Sequence, residues 1–159
     1  MTHGSAAIER CVSSAVERMR NEPAPLLEIL HAVQDQLGFV PPESVPLIAD
    51  ALNLSRAEVH GVVSFYHHFR DVAPGRHTLG LCRAEACKAM NADALAEFAQ
   101  KRLGLGFGET RADKLVTLEA VYCLGNCACA PAMMVNGELH GRVTPERVGE
   151  LAREWGVSP

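Results

Sequence analysis

The chain has 159 residues with 48% hydrophobic and 21% charged, a balance that points to a globular protein of one or two small domains. Lys plus Arg is 15 and Asp plus Glu is 19, a formal net charge of −4; nucleic acid is excluded as a main partner, because phosphate binding needs a basic surface. No apolar run approaches the roughly 20 residues of a membrane span, and MTHGSAAIERCVSS lacks the basic start and apolar core of an export signal, so a cytoplasmic chain without membrane insertion is expected.

In chain order, SAAIERCVSSAVERMR places Ile8, Cys11, Val12, Ala15, Val16 and Met19 on one helical stripe, and Cys11 on that face reads as a core residue. Pro25 fits the first turn of a second helix, PLLEILHAVQDQLG, which Gly38 ends. VPPESVPLIADALN reads as a third helix with Pro41 and Pro42 near its start. LSRAEVHGVVSFYHHF has Ser55 and Glu58 in capping-box spacing for a fourth. Phe65 and Phe69, four apart, are expected to face the core of this small bundle, with Tyr66, His67 and His68 turned outward.

RDVAPGRH, with the breakers Pro74 and Gly75, marks a boundary: residues 1–73 form a helical unit and residues 74–159 a second domain. There HTLGLC reads as a strand, and NADALAEFAQKRLG as a helix burying Leu95, Phe98, Ala99 and Leu103. KLVTLEAVYC reads as a second strand and AMMVNGELHG as a hairpin about Asn136-Gly137. TPERVGELAREWG is a last helix, capped by Thr144 with Pro145 at its first position. GLGFG at 104–108 follows a helix, the wrong context for a phosphate loop, and reads as a stop and turn. The expected fold class is α+β: a small N-terminal helical bundle, then a thioredoxin-like α/β domain with a four-stranded sheet.

The unusual feature is the cysteines. Cys82 and Cys87 flank four residues; Cys123, Cys127 and Cys129 fall within seven. Where thiols stay reduced, such clusters bind metal or do redox chemistry more often than they staple a fold. A thioredoxin-type pair has two intervening residues, whereas these gaps are four and three. Structural zinc favours gaps of two to four and stays open on spacing. So does a [2Fe–2S] cluster on four thiolates, for which Gly125 would supply backbone freedom and Ala128, Ala130 and Ala132 close approach. Arg83, Lys88 and a helix N-terminus after Cys87 would offset the cluster's negative charge.

LLEILHAVQDQLGFVP, LNLSRAEVHGVVSFYHHF and CLGNCACAPAMMVNG, in that order and with the Cys82–Cys87 gap, resemble the thioredoxin-like [2Fe–2S] subunit of the NADH-oxidising module of complex I, of NAD-reducing hydrogenases and of NAD-dependent formate dehydrogenases. The resemblance implies a [2Fe–2S] cluster on Cys82, Cys87, Cys123 and Cys127, with Cys129 not needed as a ligand. It implies a one-electron carrier with no substrate-converting site of its own. FMN and NAD would be held by a partner subunit and a molybdenum cofactor by another. Arg83-Ala84-Glu85-Ala86 between Cys82 and Cys87 is most similar to the γ subunit of soluble, molybdenum-containing formate dehydrogenases. A complex I or hydrogenase subunit is the alternative within the family, and a zinc-stabilised assembly adaptor is the alternative outside it.

Overall fold

The structure is a computed structural model that describes residues 4–157. Two compact units divide between Ala73 and Pro74. Among the described residues no helix is long and apolar enough to cross a membrane.

The first unit is helical. Helix α1 (Ser5–Met19) buries Ile8, Cys11, Val12 and Ala15. Helix α2 (Leu26–Leu37) starts one residue later than expected, because Pro25 occupies the cap and its carbonyl accepts the Ile29 N–H at 3.0 Å. Gly38 ends α2 at φ 84°, a left-handed conformation that favours glycine. Helix α3 (Ser44–Leu52) begins only after both prolines, where the buried Ser44 hydroxyl donates to the Pro41 carbonyl at 2.6 Å. Helix α4 (Arg56–Phe65) opens on a complete capping box: the Glu58 N–H donates to Ser55 Oγ at 3.2 Å and the Ser55 N–H to Glu58 Oε2 at 2.8 Å. Ile29, Leu30, Val33, Ile48 and Val59 form the fully buried centre.

Helix α4 stops at Phe65, where Tyr66 turns extended. The four-residue helical spacing therefore does not extend to Phe69. Phe69 enters the core at 8% exposure while Phe65 stands out at 73%, which corrects the expectation that both rings face inward. Buried Gln34 pins the segment after the helix: its amide donates to the His68 carbonyl at 2.9 Å and accepts the Arg70 N–H at 2.8 Å.

The second unit runs β1 (His77–Cys82), α5 (Glu85–Ala89), α6 (Ala92–Leu103), β2 (Glu109–Thr110), β3 (Val116–Val121), β4 (Met133–Val135), β5 (Glu138–His140) and α7 (Pro145–Glu154). Among the described residues the sheet has five strands, in the order β2-β3-β1-β4-β5, not four. The extra one, β2, has only two residues, too few for any alternation to show in the sequence. Strand β1 pairs parallel with β3, with Leu79 opposite Leu118 and Cys82 opposite Val121; the other pairings are antiparallel. Asn136 and Gly137 both have positive φ, 51° and 88°, as a type I′ hairpin demands. Thr144 caps α7, accepting the Arg147 N–H, with Pro145 at its first position.

Leu79, Val116, Leu118 and Met133 of the sheet pack with Leu95, Ala99 and Leu103 of α6 and Val148, Leu151 and Ala152 of α7. The neighbours Met133 and Met134 point to opposite faces and only Met133 is fully buried. Phe98, expected in this core, is 36% exposed. The inward stripe of α6 runs through Leu95, Ala96, Ala99 and Leu103, and the Phe98 ring reaches sideways toward Gly149 of α7. The GLGFG stretch is a stop and turn: Gly104 ends α6 at φ 65°, and the Gly108 N–H donates to the Leu118 carbonyl at 2.8 Å on the way into β2.

Candidate metal centre

Parallel pairing sends the ends of β1 and β3 out at the same sheet edge. Cys82 is the last residue of β1, and Cys123 follows the last residue of β3 by two. The strands stay joined at this edge, since the Arg83 N–H donates to the Val121 carbonyl at 2.7 Å and the Cys82 N–H to the Ala132 carbonyl at 3.0 Å. Cys87 lies inside a short helix not expected from sequence, α5, and the helix expected after it, α6, begins at Ala92. Cys127 opens a 3₁₀ turn, Cys127–Cys129, within the loop between β3 and β4.

Cys82 and Cys87 are buried, at 4% and 2% exposure, in a nest of small residues with Ala92 and Ala132, against which Ala84, Leu124 and Ala130 pack. Cys123 and Cys127 are exposed and Cys129 is half-buried. Of the three alanines expected to let the backbone approach, Ala130 and Ala132 belong to this nest, while Ala128 faces solvent.

Backbone N–H groups converge on the sulfurs. Burial pushes the Cys82 thiol up, but the Ala84 N–H, the Cys87 thiol and the N–H groups of Cys123 and Leu124 outweigh it and hold Cys82 below the ordinary thiol value. The last two donors come from the other cysteine loop, so the loops meet at Cys82. Cys87 is raised, first by burial and then by Cys82, against the Ala132 N–H. Cys127 is raised by the neighbouring Cys123 thiol and its charge. Cys123 has a left-handed φ of 86°, and the Gly125 N–H, at a residue with φ 75°, donates to Cys123 Sγ at 3.4 Å. A left-handed non-glycine residue costs energy and clusters at functional sites; nothing local in the sequence marks Cys123 for it.

The thiols fall into two pairs, Cys82 with Cys87 and Cys123 with Cys127. The Cys123 and Cys127 sulfurs are 3.7 Å apart. Metal–sulfur bonds of about 2.3 Å at tetrahedral angles put two sulfurs on one metal about 3.8 Å apart, so this pair already stands at a tetrahedral edge. Among the described residues no three His, Cys, Asp or Glu side chains close on a single point. Two thiol pairs, small neighbours and inward N–H groups fit a cluster of two bridged irons. Part of the expected charge compensation is spoken for: Arg83 Nη2 donates to Asp93 Oδ1 at 2.9 Å, and its guanidinium lies over the Phe107 ring.

The adjacent histidines of the first unit serve other ends. His67 Nδ1 lies 3.3 Å from the Phe65 carbonyl oxygen, and the His68 ring packs near those of His31 and Phe69.

The family model for thioredoxin-like [2Fe–2S] ferredoxins matches residues 12–156. The chain is 38% identical over 132 residues to a subunit of the NADH-quinone oxidoreductase of Pseudomonas aeruginosa, covering 83% of this chain and 80% of that protein. It is 31% identical over 146 residues to the HndA subunit of the NADP-reducing hydrogenase of Solidesulfovibrio fructosivorans, covering 92% and 85%. Among solved structures, an air-oxidised NAD⁺-reducing [NiFe]-hydrogenase superposes with a TM-score of 0.73 at 24% identity over 88% of this chain, a likeness of fold. The chain spans 24% of that larger polypeptide.

Proposed function

The chain belongs to the thioredoxin-like [2Fe–2S] ferredoxin family, whose cofactor is a [2Fe–2S] cluster, and from that premise we propose that Cys82, Cys87, Cys123 and Cys127 hold the cluster in a one-electron-carrying subunit of a nicotinamide-linked, multisubunit oxidoreductase. The observation that carries this reading is the parallel β1–β3 pairing, which brings two cysteine loops out at one edge with one thiol pair already at 3.7 Å. When bound, the cluster supplies a one-electron couple, the means by which a two-electron flavin and nicotinamide pair on a partner subunit trades electrons singly.

The chain's own residues divide the remaining work. Cys82 and Cys87 lie in the nest of alanines, which keeps water from their side of the site. The N–H groups of Ala84, Cys123 and Leu124 favour the thiolate of Cys82. Cys123 and Cys127 form the exposed side, the one a partner can approach. Residues 1–73 act as a docking arm, for which the exposed Phe65, Tyr66 and Val72 are the apolar candidates. The partner is a subunit that holds FMN and binds NAD, a reading supported by relatives named for NADH-quinone oxidoreductase and NADP-reducing hydrogenase.

Within that class the parent complex is an NAD-dependent formate dehydrogenase of the cytoplasm, with molybdenum on a further subunit; Arg83-Ala84-Glu85-Ala86 is the feature that supports it. The test is to purify the chain with its native partners and offer formate, hydrogen or NADH, following reduction of the [2Fe–2S] signal by EPR. Reduction by formate and NADH, but not hydrogen, is expected. Reduction by hydrogen would assign a hydrogenase instead. A colourless chain with stoichiometric zinc from iron-replete, anaerobic cells would overturn the cluster itself.

A further inference from the structure

The exit from the β4–β5 hairpin grips the Cys127–Cys129 turn. The Arg142 N–H donates to the Cys129 carbonyl at 2.6 Å and the Val143 N–H to the Pro131 carbonyl at 3.0 Å. Inside the turn, the Cys129 N–H donates to the Asn126 carbonyl at 3.0 Å and the Ala130 N–H to the Cys127 carbonyl at 3.3 Å. Segment 141–143 is thus bonded to the same few residues that carry Cys127.

At the point of contact stands Gly141. A Cβ there would lie 2.6 Å from Cys129 Cβ, 2.7 Å from Asn126 Nδ2 and 2.9 Å from the Cys129 carbonyl oxygen. The Asn126 amide can swing away. The two contacts to Cys129 involve backbone and the first side-chain carbon, which move only if the turn moves. Gly141 has no positive φ that would by itself require glycine, so the constraint is the space its missing side chain leaves.

We propose that Gly141 is a positioning residue for the Cys127 arm of the metal centre: its bare backbone lets the hairpin exit close against the Cys127–Cys129 turn and so fixes Cys127 relative to Cys123. This rests on the reading of Cys127 as a cluster ligand. The sulfur pair stands at 3.7 Å in the described structure, and a shift of a few tenths of an ångström in the turn is enough to spoil a tetrahedral edge. Groups that orient a metal ligand from outside its coordination shell typically contribute about 10–100-fold to metal retention.

The experiment uses the full-length, cluster-loaded chain and three variants: Gly141→Ala, Cys129→Gly, and the two combined. Gly141→Ala is expected to shift the EPR g-values of the dithionite-reduced chain and to speed bleaching by an iron chelator about tenfold, while the thermal midpoint changes little. Removing the Cys129 Cβ in the double variant should return both readings toward those of Cys129→Gly alone. Parental g-values and bleaching in Gly141→Ala would overturn the proposal. The 2.9 Å contact to the Cys129 carbonyl oxygen remains in the double variant, so its recovery is expected to be partial. A parent chain that takes up no cluster would sink the proposed function. Alkylation mapping of the metal-free chain would still decide the role of Gly141: Gly141→Ala should change the reactivity of Cys127 relative to Cys123 several-fold, and an unchanged ratio rejects it.

Discussion

Replacing Thr117 by Val tests whether a small polar knot holds the strand that leads to Cys123. Thr117 lies in β3 at 5% exposure. Its Oγ1 accepts the Gly75 N–H at 2.7 Å and pairs with Thr110 Oγ1 at 2.8 Å. One hydroxyl therefore ties the entry to β1 and the edge strand β2 to β3. Valine has the same shape, so no cavity opens and the methyl contacts survive. The change removes two hydrogen bonds and leaves the Gly75 N–H without a partner. A typical net hydrogen bond contributes about 0.5–1.5 kcal/mol, and an orphaned buried donor costs about 1–3 kcal/mol. Gly75 is half-buried, so water recovers some of that cost, and a loss of about 2–3 kcal/mol is expected. For a unit of this size that is a fall in melting temperature of roughly 10–20 °C. Thr117→Ser keeps the oxygen and loses one methyl, for about 1 kcal/mol. Urea unfolding at matched cluster loading, followed by near-UV circular dichroism, gives the difference directly from the midpoints. Thr117→Val that is neutral, or milder than Thr117→Ser, would refute the reasoning.

Three other expectations follow from the same geometry. Serine in place of Cys82, Cys87, Cys123 or Cys127 should abolish or destabilise the visible absorbance and the iron and sulfide content of the chain, whereas Cys129→Ser should retain them; the reverse result at 127 and 129 would reassign the ligand. Ser55→Ala removes the hydroxyl that caps α4 and should cost the helical unit about 1 kcal/mol, read as a lowered urea midpoint by far-UV circular dichroism. His77 stacks on Trp155 at 4.8 Å, and its Nδ1 lies 3.3 Å from the Asn136 amide nitrogen. Burial, helped by the Arg76 charge, lowers its pKa below 6.5. The neutral ring is therefore the one the fold prefers: its contribution is full above the ordinary histidine value and is lost as pH falls through the lowered one. Urea midpoints measured across that range should decline toward acid in the parent and decline less in His77→Gln.

Much of this protein was legible because it is written in local chemistry. The Ser55–Glu58 box, Thr144-Pro145 and Asn136-Gly137 each satisfy or bend the backbone within a few residues, so their meaning does not depend on the rest of the chain. The Val- and Leu-rich strands and the helical stripes carry their own periods, and the cysteine spacing exposed the thiol pairs. What only the tertiary structure decided came from residues far apart in sequence. Gln34 and the extended Tyr66 separate Phe69 from Phe65, although helical spacing treats them alike. The two-residue strand β2 exists because β3 offers it partners. Cys87 is buried within α5, and Cys123 takes its left-handed turn, in an environment assembled from several segments at once. The contact of Gly141 with Cys129 joins a hairpin exit to a cysteine loop. Periodicity and spacing record what neighbours along the chain require of one another; steric room and shared hydrogen-bond partners arise only when distant segments are brought together.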